Sequence, residues 1–377
     1  MRFNTHLKIY LDRLSHNFEK LYKLAPQNEI LFMIKADAYG HGLAPIVRFA
    51  SENKLCKEFG CASIGEAIKL REEIPEEKFE IYVFSDLEFA LPQCLQSYSS
   101  QRIMPVISNK NDLLFFLQNK EFETVPLNLK FNTGMNRLGF LPFDVEWIID
   151  NLKKRGRTSI YHILSHLSAS SSKIIEEDLN NTQKKKFDQI ILDFKSANIK
   201  IERTSLSNTG AILQNFGKEY SHIRPGLMLY GPTSLDSEIR KNSPWFGKTI
   251  SDLETHVIGT QKVKKNDPVG YGPLYAKEDG HLVIVSMGYG DGLSTHYKNL
   301  KIRIGTFEGK LCGRINMDMS AFLFPVEASQ KIKQGDYCKI WGENTEDVLQ
   351  ISTDNQTIAY ELFCQVSGRI PRLYCLK

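Results

Sequence analysis

From about residue 30 to about 230 the hydrophobic and polar positions repeat one unit: a short apolar run ends in small or polar residues, and a longer amphipathic stretch follows. That alternation is the pattern of βα units. It predicts eight strands, at Ile30 to Ile34, Phe59 to Ser63, Phe79 to Ser85, Arg102 to Ser108, Leu127 to Asn132, Ser159 to Ser165, Glu202 to Ser207 and Tyr220 to Arg224. Helical stretches lie between them, for example Leu43 to Leu55, Gly65 to Glu73 and Glu176 to Ala197, with charged positions suited to a solvated outer layer. The fold class expected is α/β. Eight parallel strands alternating with helices over roughly 200 residues predict a closed (β/α)8 TIM barrel, with its active site at the C-terminal ends of the strands.

Beyond Gly231 the pattern changes. Pro232 to Trp245 reads as a polar crossover, and strand-like runs follow at His281 to Ser286, Lys301 to Gly305, Met319 to Pro325 and Asp336 to Trp341. Nothing there reads as a long helix except Thr357 to Val366. The expected division is a barrel over residues 12–235 and a mostly antiparallel β domain over 236–377, joined by an N-terminal strand within 1–11.

Composition narrows the partners. Hydrophobic residues at 42% and charged residues at 24% exclude a disordered or collagen-like chain. A net charge of +4, from 48 basic and 44 acidic residues, gives no strong field for nucleic acid or anionic membrane, so a small molecule is expected. The start lacks the apolar core of a signal peptide and no run of 18 apolar residues follows, so no membrane span is expected. Seven scattered cysteines without a CxxC pair suit free thiols in a reducing cytoplasm. No metal site is expected: His162 and His166 are four apart, but on a predicted strand and without an HExxH motif.

The barrel rule directs attention to the strand ends. The first strand runs into Lys35-Ala36-Asp37-Ala38-Tyr39-Gly40-His41-Gly42. A lysine there either snorkels to the rim or has its amine desolvated for Schiff-base chemistry. The fifth strand leads to Arg137, the sixth to His166, the seventh to Asn208-Thr209-Gly210 and the eighth to Arg224-Pro225-Gly226-Leu227. Loops after strands seven and eight often hold a phosphate, for which Asn208, Thr209 and the amides of Gly226 and Leu227 would serve as donors. A Schiff-base lysine facing a phosphate site is a combination that packing alone explains poorly.

With these residues in view, the sequence resembles the alanine racemase family, fold-type III pyridoxal-phosphate enzymes, from Lys35 through Ile370-Pro371-Arg372. The resemblance implies an isomerase that interconverts L- and D-alanine by a two-base mechanism on a pyridoxal-phosphate aldimine, supplying D-alanine for peptidoglycan. It implies that Lys35 carries the cofactor and Tyr39 touches its phosphate. Asn208, Thr209, Gly226, Leu227 and Tyr360 match the other phosphate positions. Arg224 matches the arginine facing the ring nitrogen, and His166 the histidine beside the ring. Arg137 is similar to the arginine near the phenolic oxygen, and Lys130 to a lysine that some members carry as a carbamate. Pro268-Val269-Gly270-Tyr271-Gly272 resembles the segment with the second base, Tyr271, while Tyr289 and Met317 match the substrate entrance. A homodimer with composite sites is also implied. Gly270 and Gly290 depart from the serine and alanine common at these positions. A basic amino-acid decarboxylase is the nearer rival, disfavoured because Asn316-Met317-Asp318 offers no thiol. A pyridoxal-phosphate carrier is the other, disfavoured by the second domain.

Overall fold

The computed structural model describes residues 4–75, 78–85, 89 and 91–376. Its strands in chain order are β1 (Thr5–Tyr10), β2 (Glu29–Met33), β3 (Glu58–Cys61), β4 (Glu80–Val83), β5 (Ile103–Ile107), β6 (Asn128–Lys130), β7 (Ser159–Leu164), β8 (Lys200–Asn208), β9 (His222–Arg224), β10 (Ser251–Val263), β11 (Gly280–Val285), β12 (Lys301–Ile304), β13 (Phe307–Leu311), β14 (Ser320–Phe324), β15 (Tyr337–Trp341) and β16 (Arg372–Cys375). Strands β2 to β9 are the eight expected, and they close in chain order into a parallel barrel. The apolar runs persist because both strand faces are buried. Phe32, Phe59, Ile81, Leu129, Ile163 and Ile223 pack outward in the main core, whereas Leu31, Tyr82, Met104, Val106 and Leu164 form a smaller cluster.

A TIM-barrel interior is usually filled by branched aliphatic side chains. This one is also strongly polar: Glu58, Asn128, His162, Ser205, His222 and Arg224 are all buried. Each of those groups must find partners inside the barrel, because none can reach water.

The second sheet has the order β11-β14-β13-β12-β15-β10-β1-β16, and β11 also pairs with β10. It is mostly antiparallel, as expected, and the N-terminal strand does join it; residues 1–3 of that expected 1–11 segment, and residue 377, lie outside the described residues. β1 pairs antiparallel with β10 and parallel with β16. One expectation fails: helix Thr345–Asp354 is long enough to count, besides the expected one, which spans Ala359–Gln365. The missed helix buries only Val348, Leu349, Ile351 and Ser352, an apolar stripe too short to stand out, and its start is fixed by Asn344 Oδ1 accepting from Glu346 N at 3.1 Å. No described helix is long and apolar enough to cross a membrane.

Polar and aromatic contacts lock barrel to sheet. Arg13 Nη1 donates to Asp252 Oδ1 at 2.6 Å and to Thr249 O at 3.0 Å. His41 is buried at the junction, its Nε2 2.9 Å from Ser251 Oγ, its ring stacked on Tyr230 at 5.2 Å and edge-on to Phe363 at 4.8 Å. Burial pulls its pKa down to about 4, so it is neutral at physiological pH.

Candidate active site

Directly after β2 the backbone does something rare. Ala36, Asp37, Ala38 and Tyr39 all sit in the left-handed helical region, with φ between 52 and 54°. A residue with a Cβ loses roughly 1–2 kcal/mol there, and such strain survives only where the surroundings over-determine it. Here they do. Asp37 Oδ1 accepts from Leu43 N at 2.9 Å, Asp37 N donates to Glu66 Oε1 at 3.3 Å, and Arg372 Nε donates to Gly40 O at 3.2 Å. The Tyr39 ring packs 4.6 Å from that of Tyr230 and 5.8 Å from that of Tyr360. This turn delivers Lys35 to a cavity of about 290 Å³ at the barrel mouth.

Lys35, Tyr39, Arg137, His166, Asn208, Thr209, Arg224, Gly226 and Tyr360 all line that cavity, together with Lys130. Leu227 is buried next to Gly226 and begins a short 3-10 turn. Four cationic side chains, Lys35, Lys130, Arg137 and Arg224, face a space whose lining, among the described residues, includes no carboxylate. Crowded cations out of water lose protons more readily. Burial first, then Arg137, lowers the Lys35 pKa, and burial with Arg137, Arg224 and Lys35 brings Lys130 down to about 8. Lys35 remains open to the cavity while protein surrounds most of its amine, which is the setting for a nucleophilic lysine.

Arg224 is wholly buried, and burial draws it down to about 9, still cationic at neutral pH. It donates to Ser165 O, Ser205 Oγ and Leu206 O. Its Nη2 also lies 3.5 Å from His166 Nδ1, while Asn208 Nδ2 lies 3.5 Å from His166 Nε2. Burial and the surrounding cations keep His166 neutral. A neutral imidazole has one acceptor nitrogen. Arg224 and Asn208 both present N–H groups to the ring, so only one of these two contacts can be a hydrogen bond. At the opposite wall Thr209 Oγ1 accepts from Gly226 N at 3.1 Å. Burial raises the hydroxyl pKa values of Tyr39 and Tyr360, the latter to about 12, so both remain hydrogen-bond donors.

The β-domain residues are placed differently. Tyr271, Tyr289 and Met317 do not line the cavity of their own chain and are exposed by 72%, 45% and 53%. Their loops are nevertheless ordered by the fold. Tyr289 N donates to Asn316 O at 2.8 Å and Gly290 N to Met317 O at 2.9 Å. Arg369, not anticipated from sequence, bridges Asp291 and Asp318 at 2.7 Å each. A Cβ at Gly290 would lie 3.0 Å from Met317 O and 3.1 Å from Arg369 Nη1, close contacts that a small shift would relieve. Tyr271 sits in a tight loop closed by the Pro268–Tyr275 bridge, with Gly270 and Gly272 at φ of 68° and 84°.

Comparison with known proteins identifies the family. Residues 9–234 match the model of the alanine racemase N-terminal domain, and residues 250–374 that of the alanine racemase C-terminal domain. The chain belongs to the alanine racemase family. It is 28% identical over 375 residues to alanine racemase 1 of Clostridium acetobutylicum, covering 97% of this chain and 94% of that one. It is 29% identical over 367 residues to the biosynthetic alanine racemase of Escherichia coli, covering 96% of each. Among solved structures, the alanine racemase from Acinetobacter baumannii superposes with a TM-score of 0.81 at 27% identity, covering 100% of each chain. The biosynthetic alanine racemase from Pseudomonas aeruginosa gives 0.82 at 26%, again covering 100% of each.

The alanine racemase family is pyridoxal-phosphate dependent. The cavity fits that group on two observations. Its cationic lining lacks any described carboxylate, which suits a phosphate and a phenolate. Gly226 keeps the wall beside Tyr39 clear, since a Cβ would stand 2.5 Å from the Tyr39 hydroxyl oxygen.

Proposed function

We propose that this chain is an alanine racemase in which the barrel, residues 12–235, holds pyridoxal phosphate and the first base, while the β domain, residues 236–377 with the strand in 1–11, supplies the second. The single observation that carries the reading is the convergence of Lys35 with three further cations on one carboxylate-free cavity at the barrel mouth. Lys35 would hold the cofactor through Nζ. Tyr39, Asn208, Thr209, Tyr360 and the amides of Gly226 and Leu227 would hold its phosphate. Arg224 would face the ring nitrogen, His166 the ring, and Arg137 the phenolic oxygen.

Pyridoxal phosphate, when bound, supplies a ring that withdraws the electron pair left at the substrate α-carbon. The chain must then move a proton between the two faces of that carbon. Lys35 Nζ, with its lowered pKa, accepts or returns a proton on the face from which D-alanine loses it. The Tyr271 hydroxyl serves the L face. Arg224 is a permanent cation, so it disfavours a proton on the ring nitrogen and restrains side reactions such as transamination. His166, buried and neutral, would stand beside the ring.

Tyr271, Tyr289 and Met317 would complete the site of a second copy, in a homodimer with composite sites. Their exposure and their absence from the lining of their own chain's cavity support this. The entrance they form with Tyr360 would admit a small side chain, and the product would supply D-alanine for peptidoglycan in the cytoplasm. Incubating the cofactor-loaded protein separately with L-alanine, L-serine and L-lysine tests the reading. D-alanine should form fastest and no carbon dioxide should appear; cofactor bound with no product would overturn it in favour of a carrier.

A further inference from the structure

Beneath the cavity a line of buried polar groups runs down the barrel axis and takes no part in the chemistry above. Arg224 Nη1 meets Ser205 Oγ, and Ser205 Oγ lies 2.9 Å from His162 Nε2. The His162 and His222 rings are 5.1 Å apart between centroids. His222 Nε2 lies 3.3 Å from Glu58 Oε2, which is also 3.2 Å from Arg203 Nη1. Arg203 in turn bonds Glu80 and the Tyr82 hydroxyl, while the Tyr161 hydroxyl bonds Glu80. His162, Ser205, His222 and Glu58 are almost wholly buried.

Donor counting fixes what the upper end of this line can be. Arg224 has no acceptor function, so Ser205 Oγ accepts from it and must place its own hydrogen elsewhere. His162 Nε2 is the acceptor within reach; with the hydrogen there the imidazole proton sits on Nδ1, which has no hydrogen-bond partner, whereas an Nε2–H would leave the Ser205 hydrogen without one. A protonated His162 would instead donate to Ser205 and set a second buried cation beside Arg224. Burial, His222, Arg224 and Arg203 all oppose that state.

We propose that Ser205 and His162 form a positioning pair for Arg224. His162 fixes the Ser205 hydroxyl as an acceptor, and Ser205, with the carbonyls of Ser165 and Leu206, aims the guanidinium at the cavity without neutralising it. An arginine tied to a carboxylate would spend its field on its partner; one held by neutral acceptors keeps it for the ligand. The inference rests on the proposed placement of Arg224 against the cofactor ring.

The experiment uses the full chain loaded with pyridoxal phosphate and compares S205A, S205T, H162F, H162Q and R224K. The readouts are the visible absorption of the bound cofactor and its pH midpoint, cofactor affinity by fluorescence, and the separate kcat and KM for alanine. S205A and H162F should shift the absorption and lower kcat roughly ten- to a hundredfold, the range for losing a hydrogen bond to a charged group, with KM within about twofold. S205T and H162Q, which keep a hydroxyl and an acceptor, should recover most of both. If H162F does not fold, S205A against S205T decides. If R224K shifts the absorption and S205A does not, the pair is refuted and the placement of Arg224 stands. If R224K leaves the absorption unchanged as well, the placement itself is refuted.

Discussion

The two halves of the proposed site are built in opposite ways. On the barrel side Lys35, Arg224, His166 and Thr209 come from separate strand ends and meet in one cavity, where Arg224 and Thr209 are hydrogen-bonded to residues of neighbouring strand ends. On the β-domain side Tyr271, Tyr289 and Met317 stand exposed on loops, ordered by backbone pairing and by Arg369 but outside the cavity of their own chain. The difference teaches where completeness lies. On the proposed reading the barrel binds and holds, and the β domain presents its loops to the cavity of a second copy. Enclosure also sets the electrostatics, since the barrel cations shift one another's proton affinities.

The largest blow to the barrel side is K35A, which on the proposed reading removes a base and the cofactor's covalent hold together. D-alanine formation should fall by more than about 10⁴-fold. On the other side Y271F should cost about 10² to 10⁴ in kcat, the range for one general acid or base, while solvent deuterium still exchanges into D-alanine faster than into L-alanine. The comparison breaks or holds on mixing the two: K35A chains with Y271F chains should regain activity if each site draws on both copies, and demonstrated mixed dimers that stay inert would sink that arrangement.

Acid should attack the seam between the halves. An unfolded histidine takes up its proton near pH 6.5, whereas buried His41 does so only near 4. Between those values the unfolded chain holds more protons, so stability falls as pH drops from 6.5 to 4, by up to about 3 kcal/mol. Above 6.5 this contribution is constant. Thermal unfolding midpoints across that window should show the slope, and H41Q should flatten it. A smaller effect belongs to the phosphate wall: G226A forces a Cβ against Tyr39 and should weaken cofactor binding roughly tenfold, measured by titrating the apoprotein. Smallest is A36G, which relaxes one residue of the left-handed turn and should raise stability by up to about 1 kcal/mol, read by denaturant unfolding.

The sequence made the scaffold legible because a parallel barrel buries both strand faces and writes itself as apolar runs. Lys35 and Arg224 were legible for a related reason: a charge at the end of such a run demands an explanation. The helix Thr345–Asp354 was not, since a stripe of four buried residues resembles a strand as much as a helix. Nor was the left-handed turn, as Ala36 to Tyr39 contains no glycine and its conformation is imposed by Glu66 and Arg372 from far along the chain. His162 was visible in the sequence only as a metal candidate to set aside. Its link to Ser205 depends on the register of β7 against β8, which no single strand reveals.

The strand β1 has a consequence for how this protein is made. It is made before either of its partners, since β10 begins at Ser251 and β16 at Arg372. At about 5–20 residues per second of synthesis, β1 waits roughly ten to fifty seconds for the first and longer for the second. Until β10 emerges it is an unpaired edge tethered beside the forming barrel, the kind of segment that templates aggregation. Slowing elongation should therefore harm the yield of soluble protein more than slowing initiation, and nascent chains stalled before Arg372 should recruit chaperones through their opening residues.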